Sequence, residues 1–248
     1  MSQTTPTYTD PLTVVLVHGA FADASSWTGV IERLQKAGVQ VTAPANPLRG
    51  LASDSAYLAS FLNQMSGPVL AVGHSYAGAV ITNAASTASN VVGLVYVAAF
   101  APDEGERLGE VESGSKDSIL SSAQVALKYP TGQGTQTAME FAINPAHFHD
   151  AFAADLSAEQ AALMAATQRP VAEGAFSEPA GVPAWKTLPS WAVVATGDKA
   201  PGSDVIRSMA SRAGATITEV AGSHVIMISQ PQVVTDVILT AVAAVSSA

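Results

Sequence analysis

The chain has 248 residues, which is enough for one α/β domain with a large hydrophobic core. Its 11 Lys and Arg residues and 20 Asp and Glu residues give a formal charge of −9, which disfavours nucleic acid and anionic membrane surfaces as partners. It contains no cysteine, which excludes disulfides, thiolate metal sites and a cysteine nucleophile.

The N-terminal residues and the apolar runs of the chain do not indicate export or membrane insertion. Residues 1–11 contain no Lys or Arg and no apolar stretch, so we interpret them as a polar tail and expect a cytoplasmic protein. The longest apolar run, VVGLVYVAAFA from Val91, is about half as long as a membrane span requires.

Short β-branched runs alternate with helical patterns along the chain, which is typical of a parallel sheet covered by helices on both faces. We predict a mostly parallel sheet of about six buried strands. They are expected at residues 12–17, 39–43, 69–73, 91–97, 191–196 and 215–220. Two helices with apolar inner faces are expected after the first two strands, and Ser229 with Pro231 predicts the start of a last helix.

This alternation stops between about Pro102 and Pro189. The segment is too long for a loop between two strands of one sheet, so residues 103–186 are interpreted as a mostly helical cap insertion. Residues 12–102 and 187–248 then form the core. A separate second domain is the alternative, but the strand pattern resumes after the insertion and would otherwise be incomplete.

Ser75 lies in GHSYAG, directly after a predicted strand and before a helix of small residues. Such a turn projects the serine side chain outward and requires small neighbours two positions away, which Gly73 and Ala77 are. Alanine replaces the usual glycine at 77, so the motif is relaxed. Ser75 is predicted to be a nucleophile, although a strand–helix turn without catalysis would show the same local pattern.

A serine nucleophile needs a base, and the base needs an acid that orients it. His224 follows the last predicted strand, at the sheet edge where Ser75 also lies, and we predict that it is the base. Asp198 follows the preceding strand and gives the chain order Ser, Asp, His. Asp204 is the competing acid, but it lies where a helix begins and where acidic residues often only stabilise the helix end.

The oxyanion of an acyl-transfer reaction needs two backbone donors. One is expected from Tyr76, the residue after the nucleophile, and the other from the loop HGAF after the first strand, with Ala20 as the donor. No phosphate loop, dinucleotide fingerprint or metal cluster stands out in the sequence.

Together, VVLVHGAFADASSW, GHSYAG, ATGDKA and GSHV resemble the α/β-hydrolase superfamily, in particular the small branch with plant methyl esterases of the salicylate-binding type and hydroxynitrile lyases. The resemblance runs from about Leu12 to the final helix. It implies the triad Ser75, Asp198 and His224, an oxyanion hole at Ala20 and Tyr76, a cap over the pocket, and no cofactor or metal. It also allows a homodimer, since such relatives are often dimeric.

Two departures separate the chain from the lyases of this branch. Those lyases usually have threonine where this chain has Gly19, and a lysine that handles cyanide charge where it has Val225. We therefore expect a serine hydrolase that cleaves small, mostly apolar carboxylic esters through an acyl-enzyme. A hydroxynitrile lyase-like activity, a perhydrolase side activity and a ligand-binding receptor on the same fold are the alternatives. Candidate pocket residues are Phe21, Phe141, Phe148, Phe152, Met164 and Trp185.

Overall fold

A computed structural model describes residues 10–247, so most of the predicted N-terminal tail lies outside the described residues. The described chain folds around one main sheet of six strands. These are β1 (Thr13–Val17), β2 (Gln40–Thr42), β3 (Val69–His74), β4 (Val91–Val97), β8 (Ser190–Ala195) and β9 (Thr216–Val220). Each of them begins within one residue of its prediction.

All neighbouring strands in this sheet are parallel, in the order β2-β1-β3-β4-β8-β9. The four inner strands are almost wholly buried because helices cover both faces. The prediction of six buried strands is wrong for β2 and β9, whose residues are half-buried or exposed. These two strands form the sheet edges, where only one neighbour covers the backbone.

Helices on the two faces connect these strands. Their bounds are α1 (Thr28–Lys36), α2 (Leu51–Asn63), α3 (Ala77–Ala85), α9 (Ser203–Arg212), α10 (Ile226–Ser229) and α11 (Pro231–Ser246). Pro231 occupies the first turn of α11 as predicted, but Gln230 precedes it as the cap and Ser229 ends α10. None of these helices, nor any other helix in residues 10–247, is long and apolar enough to cross a bilayer.

The segment between β4 and β8 packs over the carboxyl ends of the strands. Its helices are α4 (Leu108–Ser113), α5 (Leu120–Ala123), α6 (Pro145–Phe152), α7 (Ala158–Thr167) and α8 (Gly174–Ser177). It also contains an antiparallel sheet that the sequence analysis did not predict. That sheet consists of β5 (Gln124–Pro130), β6 (Thr137–Ile143) and β7 (Val171–Ala172). We call residues 103–186 the cap.

The antiparallel cap sheet was missed because its strands carry a weak hydrophobic signal. Most residues of β5 are half-buried or exposed, and β5 pairs only with β6. In such a strand the burial that normally marks one face is incomplete, so alternation is hard to recognise.

Candidate active site

Ser75 lies in the sharp turn between β3 and α3, at the carboxyl end of a central strand. Its φ is +56°, a left-handed conformation that is uncommon for a residue with a side chain. The backbone is held in this turn because the Ser75 amide donates to Val97, while the Ser75 carbonyl accepts from Gly78 and Phe100. The Ser75 hydroxyl has no hydrogen-bond partner among the described residues. The turn therefore holds Ser75 in a strained backbone conformation with an unpaired hydroxyl, as the predicted nucleophile requires.

His224 and Asp198 meet in the interior, as their positions after β9 and β8 predict. The Nδ1 atom of His224 lies 2.7 Å from Oδ2 of Asp198, and both side chains are almost completely buried. The other carboxylate oxygen of Asp198 accepts a 2.9 Å hydrogen bond from the amide of Ala200. Because a carboxylate only accepts, the imidazole proton lies on Nδ1 and the lone pair on Nε2.

The Nε2 atom of His224 is buried and has no hydrogen-bond partner within residues 10–247. No direct hydrogen bond joins it to the Ser75 hydroxyl among the described residues. Catalytic hydrogen bonds are often longer before substrate binds and tighten in the complex. An unpaired imidazole nitrogen at this place has the chemistry of a general base.

His74 connects the Ser75 turn to the His224 loop. Its Nε2 donates a 3.0 Å hydrogen bond to the carbonyl of His224, and the two rings lie 4.6 Å apart between centroids. Burial lowers the pKa of His74 well below its usual value, and the nearby His224 ring contributes to the fall. His74 is therefore a neutral ring that supports the fold beside the site.

Asp204, the competing acid, lies at the start of α9 and binds the cap instead of a histidine. Its two oxygens accept from the hydroxyl of Ser115 at 2.6 Å and the amide of Lys116 at 2.9 Å. Burial alone would raise its pKa, but these hydrogen bonds lower it. The geometry therefore favours Asp198 over Asp204 as the acid that orients His224.

The two expected oxyanion donors, Ala20 and Tyr76, are buried beside Ser75. Neither backbone amide donates a hydrogen bond to any group of the described residues. A Cβ on Gly19 would lie 2.6 Å from the Cβ of Ser75 and 2.7 Å from the carbonyl oxygen of His74, so no larger residue fits there without movement. Buried amides are normally paired, so these two are available for a bound oxygen.

Aromatic side chains form the apolar wall next to His224. The ring of Phe152 lies 4.9 Å from the His224 ring, and Phe21 and Phe148 pack against Phe152 at 6.0 and 5.1 Å. Met164 and Phe21 line a small cavity of about 90 Å³ at the edge of this wall. This packing agrees with the predicted position of Phe21, Phe148, Phe152 and Met164 near the site. Their roles in substrate binding remain predictions.

Phe141 and Trp185 lie in other parts of the cap. Phe141 lines a cavity within the cap. Trp185 lies where the cap returns to the core, and its indole Nε1 donates to the carbonyl of Pro102 at 3.0 Å. Within residues 10–247 no recorded contact joins Trp185 to the triad residues, so its pocket role also remains a prediction.

Two buried acids beside this region were missed by the sequence analysis. Asp54 on α2 accepts a hydrogen bond from the phenol of Tyr76, and Glu112 on α4 lines the cap cavity. Asp54 stands alone in a helical pattern and Glu112 ends an acidic stretch, and in both settings the usual interpretation is a solvated face. Only the tertiary packing shows that they are buried. No group of three or more His, Asp or Glu residues in the described chain could hold a metal ion.

A family model described as the alpha/beta hydrolase family matches residues 14–237, which is most of the chain. This protein belongs to the α/β-hydrolase family. The match includes Ser75, Asp198 and His224, and it confirms the superfamily that the sequence motifs indicate. Several other enzyme classes share the fold, so the activity of this α/β-hydrolase must be argued from its site.

One curated relative and two solved structures illustrate what this α/β-hydrolase is similar to. A carbendazim-hydrolysing esterase of Nocardioides sp. (strain SG-4G) is 34% identical over 107 residues. That match covers 38% of this chain and 44% of the relative, so the chain matches less than half of that protein's length.

The structure of polyneuridine aldehyde esterase matches the α/β-hydrolase with a TM-score of 0.78 and 21% identity, covering 94% of this chain and 99% of that one. An extracellular α/β-hydrolase from a Paenibacillus species, described as sharing structural and functional homology with tobacco salicylic acid binding protein 2, gives a TM-score of 0.74 and 21% identity. It covers 93% of this chain and 99% of that chain. The likeness agrees with the predicted branch, and at this identity it establishes the fold alone.

Proposed function

We propose that this α/β-hydrolase cleaves carboxylic esters through an acyl-enzyme, with Ser75 as nucleophile, His224 as base and Asp198 as the acid that orients it. The observation that carries the proposal is the buried 2.7 Å contact between Asp198 and His224, which leaves Nε2 of His224 unpaired near the strained Ser75 turn. The esterase named among its relatives supports the reaction class.

In the proposed first step, Nε2 of His224 takes the proton of the Ser75 hydroxyl as its oxygen attacks the ester carbonyl. The amides of Ala20 and Tyr76 stabilise the negative charge that develops on the carbonyl oxygen. His224 then gives its proton to the departing alcohol, and the acyl group stays on Ser75. Water, deprotonated by His224, releases the acid and restores the serine.

The aromatic wall supports small, mostly apolar esters. Phe152 lies against His224, and Phe21 and Phe148 extend the same apolar surface. A buried aromatic surface favours an apolar group of the substrate because it cannot replace the hydrogen bonds that a polar group loses on leaving water.

No observation favours the lyase alternative. Val225 is completely buried, and a valine there supplies no positive charge for a cyanide leaving group. A threonine in place of Gly19 would collide with the Ser75 turn. The receptor alternative requires a site that binds without reacting, whereas His224 and the two free amides are arranged for acyl transfer.

Hydrolysis of p-nitrophenyl acetate and butyrate by wild type and Ser75→Ala tests the proposal. We expect turnover by wild type, and a rate lower by about 10³ or more for the variant. Ser89→Ala, in the exposed turn between α3 and β4, serves as a serine control away from the site. Absence of both turnover and a burst in wild type would refute the esterase assignment, and full activity of Ser75→Ala would refute the nucleophile. Mandelonitrile cleavage in the same assays tests the lyase reaction.

A further inference from the structure

A cavity of about 230 Å³ lies inside the cap, between α4, the segment that follows it, β6 and α8. Its apolar side is formed by Phe141 and Phe176. Its polar side carries one acid and several hydroxyl and amide groups. These polar residues are Glu112, Ser113, Ser115, Ser118, Ser121 and Gln124.

Glu112 is the only acid on this cavity, and it is buried with a residue exposure of 8%. No ion pair within residues 10–247 includes Glu112. Burial raises the pKa of the Glu112 carboxyl to about 7, and the negative charge of Asp198 adds to the rise. An acid in this position is costly to ionise until a cation neutralises it.

Two serine hydroxyls of the cavity keep room to accept a hydrogen bond. Ser113 donates its single hydroxyl proton to the carbonyl of Glu110 at 2.7 Å, and Ser118 donates to the carbonyl of Ala200 at 2.5 Å. A hydroxyl has one proton and two lone pairs, and Ser118 accepts only from the amide of Leu120, so both oxygens retain acceptor capacity. Ser115 does not, because it donates to Asp204 and accepts from two backbone amides. Two serine acceptors beside a carboxylate without an ion pair suit a positively charged ligand that carries an N–H donor.

The cavity has an outer approach with the same electrostatic preference. A more open groove of about 400 Å³ shares Gly109, Phe141 and Phe176 with the inner cavity. The lining of this groove contains two acids, Glu110 and Glu173, and one cation, Arg107. The Arg107 guanidinium donates a hydrogen bond to the carbonyl of Ser177. Its Nε atom lies 3.8 Å from a carboxylate oxygen of Glu110, so its charge is already paired.

The cavity also borders the residues of the proposed reaction. The Ile119 amide donates to Lys199 at 2.9 Å and Ser118 to Ala200, so this segment is fixed to the loop of Asp198. On the other side, the ring of Phe176 lies 6.1 Å from the ring of Tyr76. Two lining residues of the cavity, Ser118 and Phe176, therefore contact the loop that carries Asp198 and the side chain of Tyr76.

We propose that this cap cavity binds a protonated amine, with Glu112 as its counter-ion and the hydroxyl oxygens of Ser113 and Ser118 as acceptors for its N–H donor. In an ester hydrolase this amine is the cationic part of the substrate, so this assignment rests on the proposed function. It narrows the substrate class to apolar esters that carry an amine.

Binding of the amine alone tests the site without relying on turnover. Calorimetry at about pH 8 compares benzylammonium with benzyl alcohol, its neutral counterpart, on wild type, Ser75→Ala, Glu112→Gln and Glu104→Gln. We expect the ammonium to bind at least about tenfold more tightly than the alcohol in all proteins except Glu112→Gln. Glu104 is an exposed acid just before α4 and lines neither cavity, so its variant controls for the loss of one charge.

Equal binding of ammonium and alcohol by wild type would overturn the proposal, and so would an unchanged preference in Glu112→Gln. Glu112→Asp guards against a folding defect, because it keeps the charge and should retain part of the preference. If Glu112→Asp and Glu112→Gln lose the preference for the ammonium to the same extent, the loss comes from altered packing. That outcome would overturn the role of Glu112 as counter-ion.

Kinetics then connect the cavity to the reaction. The substrates are p-nitrophenyl 4-(dimethylamino)butanoate and its neutral isostere p-nitrophenyl 5-methylhexanoate. We expect the kcat/KM ratio of the amine ester to the neutral ester to fall about tenfold in Glu112→Gln and to stay constant in Glu104→Gln. Glu112-dependent amine binding without hydrolysis of either ester would refute the esterase while supporting the amine site. Hydrolysis with an unchanged ratio would refute the amine as the cationic part of the substrate.

Discussion

The phenol of Tyr76 donates a 2.8 Å hydrogen bond to the carboxylate of Asp54, and both side chains are completely buried. Asp54 also accepts from the amide of Arg49 at 3.1 Å, in the loop before α2. Burial raises the pKa of Asp54, and the hydrogen bond from Tyr76 opposes that rise. This pair fixes the side chain of the residue whose amide is the proposed oxyanion donor.

Removing either partner should therefore slow the reaction without weakening substrate binding. We expect Tyr76→Phe and Asp54→Asn each to lower kcat roughly three- to tenfold with little change in KM, because a displaced amide stabilises the transition state less well. The double variant should be no worse than the slower single variant, since both remove one interaction. Initial rates on p-nitrophenyl butyrate measure this.

Tyr57→Phe is the matched control for the phenol, because Tyr57 lies on α2 and is 49% exposed. It should leave kcat and KM unchanged. A rise in KM at constant kcat in Tyr76→Phe would contradict the positioning role and indicate a role in binding.

The acid of the triad is testable by comparing Asp198→Asn with Asp204→Asn. Asp198 contacts His224 directly, so its amide variant should lose roughly 10³ to 10⁴ in kcat because the histidine takes the wrong tautomer. Asp204 binds Ser115 and Lys116, so its variant should affect stability more than kcat. A large kcat loss confined to Asp204→Asn would overturn the assignment of Asp198.

The glycine usually found two residues after the nucleophile is replaced here by Ala77, which is completely buried. We expect Ala77→Gly to keep the hydrolysis rate within about tenfold, equivalent to about 1.4 kcal/mol in the barrier, because it removes one methyl group. Gly73→Ala should be far more harmful. A Cβ on Gly73 would lie 2.6 Å from the carbonyl oxygen of Ala77, which is backbone and cannot move without opening the turn.

Rates and melting temperatures of both variants check this prediction. Suppose that Ala77→Gly lowers the rate or the melting temperature more than Gly73→Ala does. That result would show that the Ala77 methyl group shapes the site and that the turn tolerates a side chain at 73.

The buried Glu112 predicts a pH dependence of stability. Its pKa is 4.5 in an ordinary setting and about 7 in the folded protein, so the folded state holds more protons than the unfolded state between these values. Stability contributed by protonated Glu112 is therefore lost as the pH rises through this window. The Gln variant cannot ionise, so it should gain stability relative to wild type by up to about 3 kcal/mol between pH 5 and 8.

Urea unfolding at the two pH values measures the difference, with Glu104→Gln as the exposed control. A stability difference between Glu112→Gln and wild type that does not grow with pH would contradict burial of an ionisable carboxyl at this position.

The sequence by itself determined the main sheet and the order of the chemical groups. The four inner strands of that sheet are short, mostly apolar runs, and a parallel sheet places all carboxyl ends at one edge. That rule was enough to bring Ser75, Asp198 and His224 to the same side of the molecule. The same rule distinguishes His224 from the other histidines, because His224 is the histidine that follows the last strand.

Only the tertiary structure decided how those groups interact and what surrounds them. Strand order already favoured Asp198 over Asp204, but the 2.7 Å contact between Asp198 and His224 depends on loop geometry, which hydrophobic periodicity does not encode. The cap sheet, the Asp54–Tyr76 pair and the buried Glu112 all depend on contacts between residues distant in sequence. An acid in a helical pattern looks solvated until another element covers it, and here that covering is supplied by the fold.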